Sequence, residues 1–116
     1  MQKITKNILL SLITFSLLAS EAIPANAVPI SARGAPSCGE WVKNRTEHNL
    51  YESVNITWLM GFLSGLAIGK DVNFLPDTDA KSLYLWIDNY CQANPLENVS
   101  LAGYLLSLEL VKRTRR

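Results

Sequence analysis

Hydrophobic and polar residues fall into long blocks along this chain, and the block lengths define its elements. The first block, Ile8 to Ala19, is apolar apart from Ser11, Thr14 and Ser16. It follows Lys3 and Lys6 and precedes Ala25-Asn26-Ala27. A positive start, a short apolar core and an A-x-A site form a secretory signal, with cleavage expected after Ala27. Residues 1–27 are therefore set aside from the fold.

A second apolar block runs from Ile56 to Ile68 and stops at Lys70-Asp71. It is too short for a bilayer, which needs about 20 such residues. It predicts a helix from Leu50 to Ile68, ending near Gly69. Trp58, Phe62 and Leu66 share one face of that helix, and Gly61, Gly65 and Gly69 lie beside them. An interior glycine costs about 1 kcal/mol against alanine. Three of them at four-residue spacing predict a close-packed face. The expected neighbour is the helix carrying Trp86 and Tyr90, and a shallow groove for a partner is the alternative use.

The third block predicts a helix over Thr78 to Gln92, with Leu83, Trp86, Ile87, Tyr90 and Cys91 on its core face. Asp77 is its expected N-cap, with Asp79 in the first turn, where negative charge is favoured. Asn94-Pro95-Leu96-Glu97 then combines a capping asparagine, a proline at the first helical position and a glutamate at the third. It predicts a last helix running to about Arg113. Glu97, Ser100, Tyr104 and Ser107 form a narrow polar strip on it, and leucines cover most of the rest. A helix so widely apolar is buried on more than one side. Leu101, Leu105 and Leu108 are accordingly the candidate interface for a second copy or another protein. Upstream, Cys38 to Val42 begins a short helix, Lys43 to Asn49 reads as a loop, and residues 28–37 form an extended lead-in with Pro29, Gly34 and Pro36. No strand pattern or internal repeat is present. The expected fold is all-α: a single domain over 38–116, a small bundle of three to four helices.

Charge narrows the partners. Val28 to Arg116 carries nine basic and nine acidic residues, which gives no basic face for nucleic acid. Lys112-Arg113-Thr114-Arg115-Arg116 is a local exception that complements a helix C-terminus. An electrostatic contact with an anionic surface is its alternative use. The two cysteines, Cys38 and Cys91, would meet oxidising conditions outside the cell, so one disulfide is expected. In a small domain with a limited core, that closure is a substantial part of the stability.

Chemistry is sparse. His48 is the one histidine. There is no G-x-S-x-G elbow, no phosphate-cradling loop and no close set of Cys or His for a metal. Asp71, Asp77, Asp79 and Asp88 could be assembled into a carboxylate site, but Asp77-Thr78-Asp79 lacks the continuation of a calcium loop. Asp88 is expected to bond a loop backbone. Trp41, Trp58 and Trp86 read as core residues with satisfied indole N–H groups. No catalytic residue, metal or cofactor is assigned.

The motifs Cys38-x-x-Trp41-x-x-x-Arg45, Trp58-x-x-Gly61-Phe62-x-Ser64-Gly65 and Asp79-x-x-Ser82-x-x-x-Trp86-Ile87-Asp88-Asn89-Tyr90-Cys91-x-x-x-Pro95 resemble a group of short exported proteobacterial proteins. The layout also resembles the HdeA-like periplasmic acid-stress chaperones and the Tai-type immunity proteins of type VI secretion. That resemblance implies a small, helical, disulfide-linked protein that acts by binding other proteins and can dimerise. The leading expectation is a periplasmic or secreted, non-catalytic protein-binding protein. A small-molecule or lipid carrier with a tryptophan-lined cavity is the alternative.

Overall fold

The computed structural model describes residues 32–116; the expected signal peptide and residues 28–31 of the lead-in lie outside the described residues. Four helices follow in order: α1 (Cys38–Glu47), α2 (Leu50–Lys70), α3 (Ala80–Ala93) and α4 (Val99–Thr114). Among the described residues there is no strand beyond one isolated bridge, Ser37 to Asn98. The all-α expectation holds, and so does the disulfide: Cys38 is bonded to Cys91.

The first two helices start where the sequence reading places them, at Cys38 and Leu50, whereas the end of α1 and the starts of α3 and α4 differ from it, each for a local cause. Ser37 and Glu40 form a reciprocal capping box, Ser37 Oγ accepting from the Glu40 N–H and Glu40 from the Ser37 N–H. That box launches α1 and carries it to Glu47, through residues expected to be a loop. Asn49 caps α2 through the Tyr51 N–H. The cap of α3 is Asp79, not Asp77: its carboxylate accepts from both the N–H and the hydroxyl of Ser82. The cap of α4 is Asn98, not Asn94, accepting from the Leu101 N–H. Asn94 to Glu97 instead closes a turn, with the Glu97 N–H on the Asn94 carbonyl at 3.1 Å. Proline in second place suits a turn as well as a helix start.

The bridge between the caps of α1 and α4 has a physical purpose. The first N–H groups of a helix have no partner within it. Here the Cys38 N–H donates to the Glu97 carbonyl at 2.9 Å, and the Val99 N–H donates to the Pro36 carbonyl at 3.0 Å. Each helix start is satisfied by the segment that precedes the other. At its far end α2 runs through Gly69 and stops at Asp71, which takes a left-handed conformation and closes onto the Ala67 and Ile68 carbonyls.

Helix α4 packs against both α2 and α3, while α1 packs against α3 and α2. The core comprises Cys38, Trp41, Leu59, Leu63, Phe74, Leu83, Ile87, Cys91, Val99, Ala102, Leu106 and Leu110. The wide apolar surface of α4 is thus covered on two sides within the chain. Ser107, expected on its polar strip, is fully buried and bonds back to the Tyr104 carbonyl at 2.6 Å.

Candidate functional site

Two regions hold the residues that the sequence singles out. The first is a polar junction where α1, α2 and α3 meet. Trp41 is fully buried, and its indole N–H donates to Asp88 Oδ1 at 2.7 Å. Arg45, one turn further along α1, grips the same carboxylate in a bidentate pair, Nε to Oδ1 at 3.0 Å and Nη2 to Oδ2 at 2.8 Å. Its Nη1 reaches Glu52 Oε1 on α2 at 2.7 Å, and its guanidinium lies 5.8 Å from the centre of the Tyr84 ring. Such fork-shaped pairs fix orientation as well as adding energy.

The hydrogen bonds that Arg45 donates to Asp88 raise its pKa still further, with desolvation opposing and Glu52 helping. For Glu52, desolvation opposes ionisation, but hydrogen bonds from Arg45 and His48 outweigh it and hold the carboxyl below its ordinary value. His48 sits at the left-handed end of α1, exposed, with Nδ1 3.2 Å from Glu52 Oε2. His48 and Asp88 flank one small depression, together with Arg45 and Gln92. Its arginine and its one carboxylate, Asp88, are already paired with each other. The expected bond from Asp88 to a loop backbone is replaced by these side-chain bonds. Among the described residues no group of acidic, histidine or cysteine side chains is arranged to hold a metal.

The second region is the outward side of α2. The expectation that Gly61, Gly65 and Gly69 pack closely against the Trp86 helix is not met. Among the described residues, a Cβ placed on any of the three would meet nothing within 4 Å. α2 packs on α4, and α2 and α3 share no substantial contact. Trp86 stacks on its own helix neighbour Tyr90, ring centres 5.7 Å apart, and borders an open groove of about 230 Å³ with Leu106 and Leu110. Trp58 stacks on Phe62 at 5.0 Å and donates to the Arg33 carbonyl at 2.9 Å. That contact presses the lead-in on α2 at Gly34, where φ is +74° and a side chain would meet the indole at 3.3 Å.

The helical glycine of close approach is Gly103 on α4. A Cβ there would lie 3.0 Å and 3.1 Å from the Phe62 ring and 3.4 Å from Leu59. A single glycine among leucines gave no sequence signal.

Gly61 belongs to a longer stripe, and Gly65 borders it. Leu50, Val54, Thr57, Gly61, Ser64 and Ile68 are all exposed. They recur at alternating steps of four and three, the spacing that keeps a helical seam on one side. Leu50 and Ile68 are each 81% exposed and Val54 is 56% exposed. No residue classed as exposed between Leu50 and Gly69 carries a charge. A solvated helix face is ordinarily rich in charged side chains.

On α4, Leu101 and Leu105 are also exposed, beside Tyr104, and Leu108 is half-buried. No described helix is long and apolar enough to cross a membrane. In comparisons with protein-family models, curated proteins and solved structures, the chain matches none.

Proposed function

We propose that this chain is an exported, non-catalytic protein that works by binding another protein through the outward side of α2. The observation that carries the reading is the uncharged stripe from Leu50 to Ile68, along which Gly61, with Gly65 beside it, keeps the backbone bare. Exposed glycine in a helix interior is destabilising. Among the described residues no packing offsets that cost, and a partner's close approach would supply the offset. The alternating spacing suits a helix laid along the stripe. Export is supported by the signal-like N-terminus together with the Cys38–Cys91 bond. The layout shared with HdeA-like chaperones and Tai-type immunity proteins points the same way. The carrier reading has weaker support, because Trp41 is sealed in the core and Trp58 is stacked on Phe62.

The test is charge on the stripe. Gly61→Glu and Gly65→Glu enter open space, so the fold accommodates them. Association is read by light scattering at neutral and acidic pH and by capture from cell-envelope extract. The expected result is that the native chain associates and the double variant, with thermal stability no lower than the native chain's, does not. A native chain that stays monomeric and captures nothing, or a double variant that associates equally well, overturns the reading.

A further inference from the structure

A different part of the surface has its own chemistry, on the other side of α2. Lys70 follows Gly61 by about two and a half turns, which places it opposite the glycine stripe. There it joins Lys112 and Arg115 around a floor made by Val72, Leu108 and Val111, forming an open cradle of about 430 Å³. We propose that this end of the molecule docks on an anionic phospholipid surface.

Three observations favour that occupant. First, the cations are unspent. Among the described residues, Lys70, Lys112 and Arg115 form no ion pair and no side-chain hydrogen bond. Lys70 rests 5.1 Å from the centre of the Tyr104 ring. They are not needed to satisfy the end of α2 either, because the Asp71 and Val72 N–H groups already close onto its last carbonyls.

Second, the charge balance is positive. The two helix C-termini at this end amount to about one unit of negative charge, and Asp71 and Glu109 add two. Lys70, Lys112, Arg113, Arg115 and Arg116 exceed them, with Arg113 already paired to Glu109 at 3.3 Å.

Third, the cradle is shallow and its cations stand around an apolar floor. A small free anion is held by convergent donors in an enclosed site. A layer of phosphate headgroups over acyl chains matches spread cations above an apolar base.

The probe is vesicles: phosphatidylglycerol mixed into phosphatidylcholine, against pure phosphatidylcholine, with the Val28–Arg116 chain, which contains every described helix and the disulfide. Binding is followed by co-sedimentation at low and high salt. The expected result is at least tenfold tighter binding to the anionic vesicles, weakened by salt. The K112Q/R115Q variant, altered at exposed positions, should keep its helical signal and lose about fivefold for each cation removed. Equal binding to both vesicle types, or an unaffected double variant, overturns the proposal. So does displacement by millimolar inorganic phosphate, which would mark a small-anion site. Because G61E/G65E leaves these cations in place, it should bind vesicles as the native chain does. Loss of binding in that variant also counts against a separate lipid surface.

Discussion

The α1–α3 seam and the outward side of α2 are opposites in how they use their side chains. Along the seam, every polar group that could do chemistry is matched: Trp41 and Arg45 converge on Asp88, Glu52 takes the remaining arginine nitrogen, and Cys38–Cys91 ties the same two helices. On the outward side of α2, six seam-spaced residues face solvent and three glycines have nothing above them. The contrast teaches where to look for function in a chain with no catalytic set. Matched polar groups hold a fold together. An unmatched apolar stripe has no internal use.

The largest expected effect tests the seam. Opening the disulfide by Cys38→Ser with Cys91→Ser releases a loop spanning 53 residues. The chain-entropy relation gives about 4 kcal/mol for such a loop. The urea midpoint should fall sharply, and a fall of less than a quarter of that would assign the seam's strength to its polar contacts instead.

Those contacts come next. Asp88→Ala removes the acceptor of both Trp41 and Arg45 and should cost about 2 kcal/mol. This lies between the values for exposed pairs and fully buried ones, because Arg45 and Asp88 keep 26% and 18% of their side-chain surface. Urea unfolding of the single variant measures it.

The glycines divide the two regions most sharply. Gly103→Ala pushes a methyl group against a Phe62 ring that Trp58 holds in place, and should destabilise by about 1 kcal/mol. Gly61→Ala and Gly65→Ala enter open space and should each stabilise the isolated chain by about 0.5–1 kcal/mol, while weakening association. Alanine variants that are more stable and associate normally would strip the stripe of its assigned role.

Acid gives the smallest effect. Glu40 is held below its ordinary 4.5 by hydrogen bonds to Ser37, and Asp79 below its ordinary 3.8 by bonds to Ser82. Glu52 is lowered against its desolvation by Arg45 and His48. Each carboxylate binds fewer protons folded than unfolded, so its contribution is full above those ordinary values and fades as pH falls through them. The urea midpoint should stay level from neutral pH down to about 5 and then decline. Glu52→Gln should shallow that decline, and a profile identical to the native one would remove Glu52 from the acid response.

Much of the architecture was legible in sequence because it rests on local rules. Three-and-four spacing marked α3, block length excluded a bilayer span, and two cysteines beside a signal-like start marked one disulfide. Helix boundaries were less legible where two local rules compete. Asn94-Pro95 fits a turn as well as a cap, Asp77 and Asp79 compete to cap α3, and Ser37 to Glu40 carries a capping box that went unread. The candidate site was legible only in part. The glycine spacing predicts close packing at Gly61, Gly65 and Gly69, whereas among the described residues the close helical approach falls at Gly103.

The sequence by itself determined that this chain forms amphipathic helices with one covalent tie, because periodicity and redox chemistry act within a few residues or between two unique ones. Only the tertiary structure decided which faces meet. It set α4 between α2 and α3, made Gly103 the point of closest approach, gathered Trp41, Arg45, Glu52 and Asp88 into one junction, and left Gly61, Gly65 and Gly69 outside. A helix's pattern states that a face wants cover. Which element supplies it depends on how all four helices fill one core, and that is a property of the whole chain.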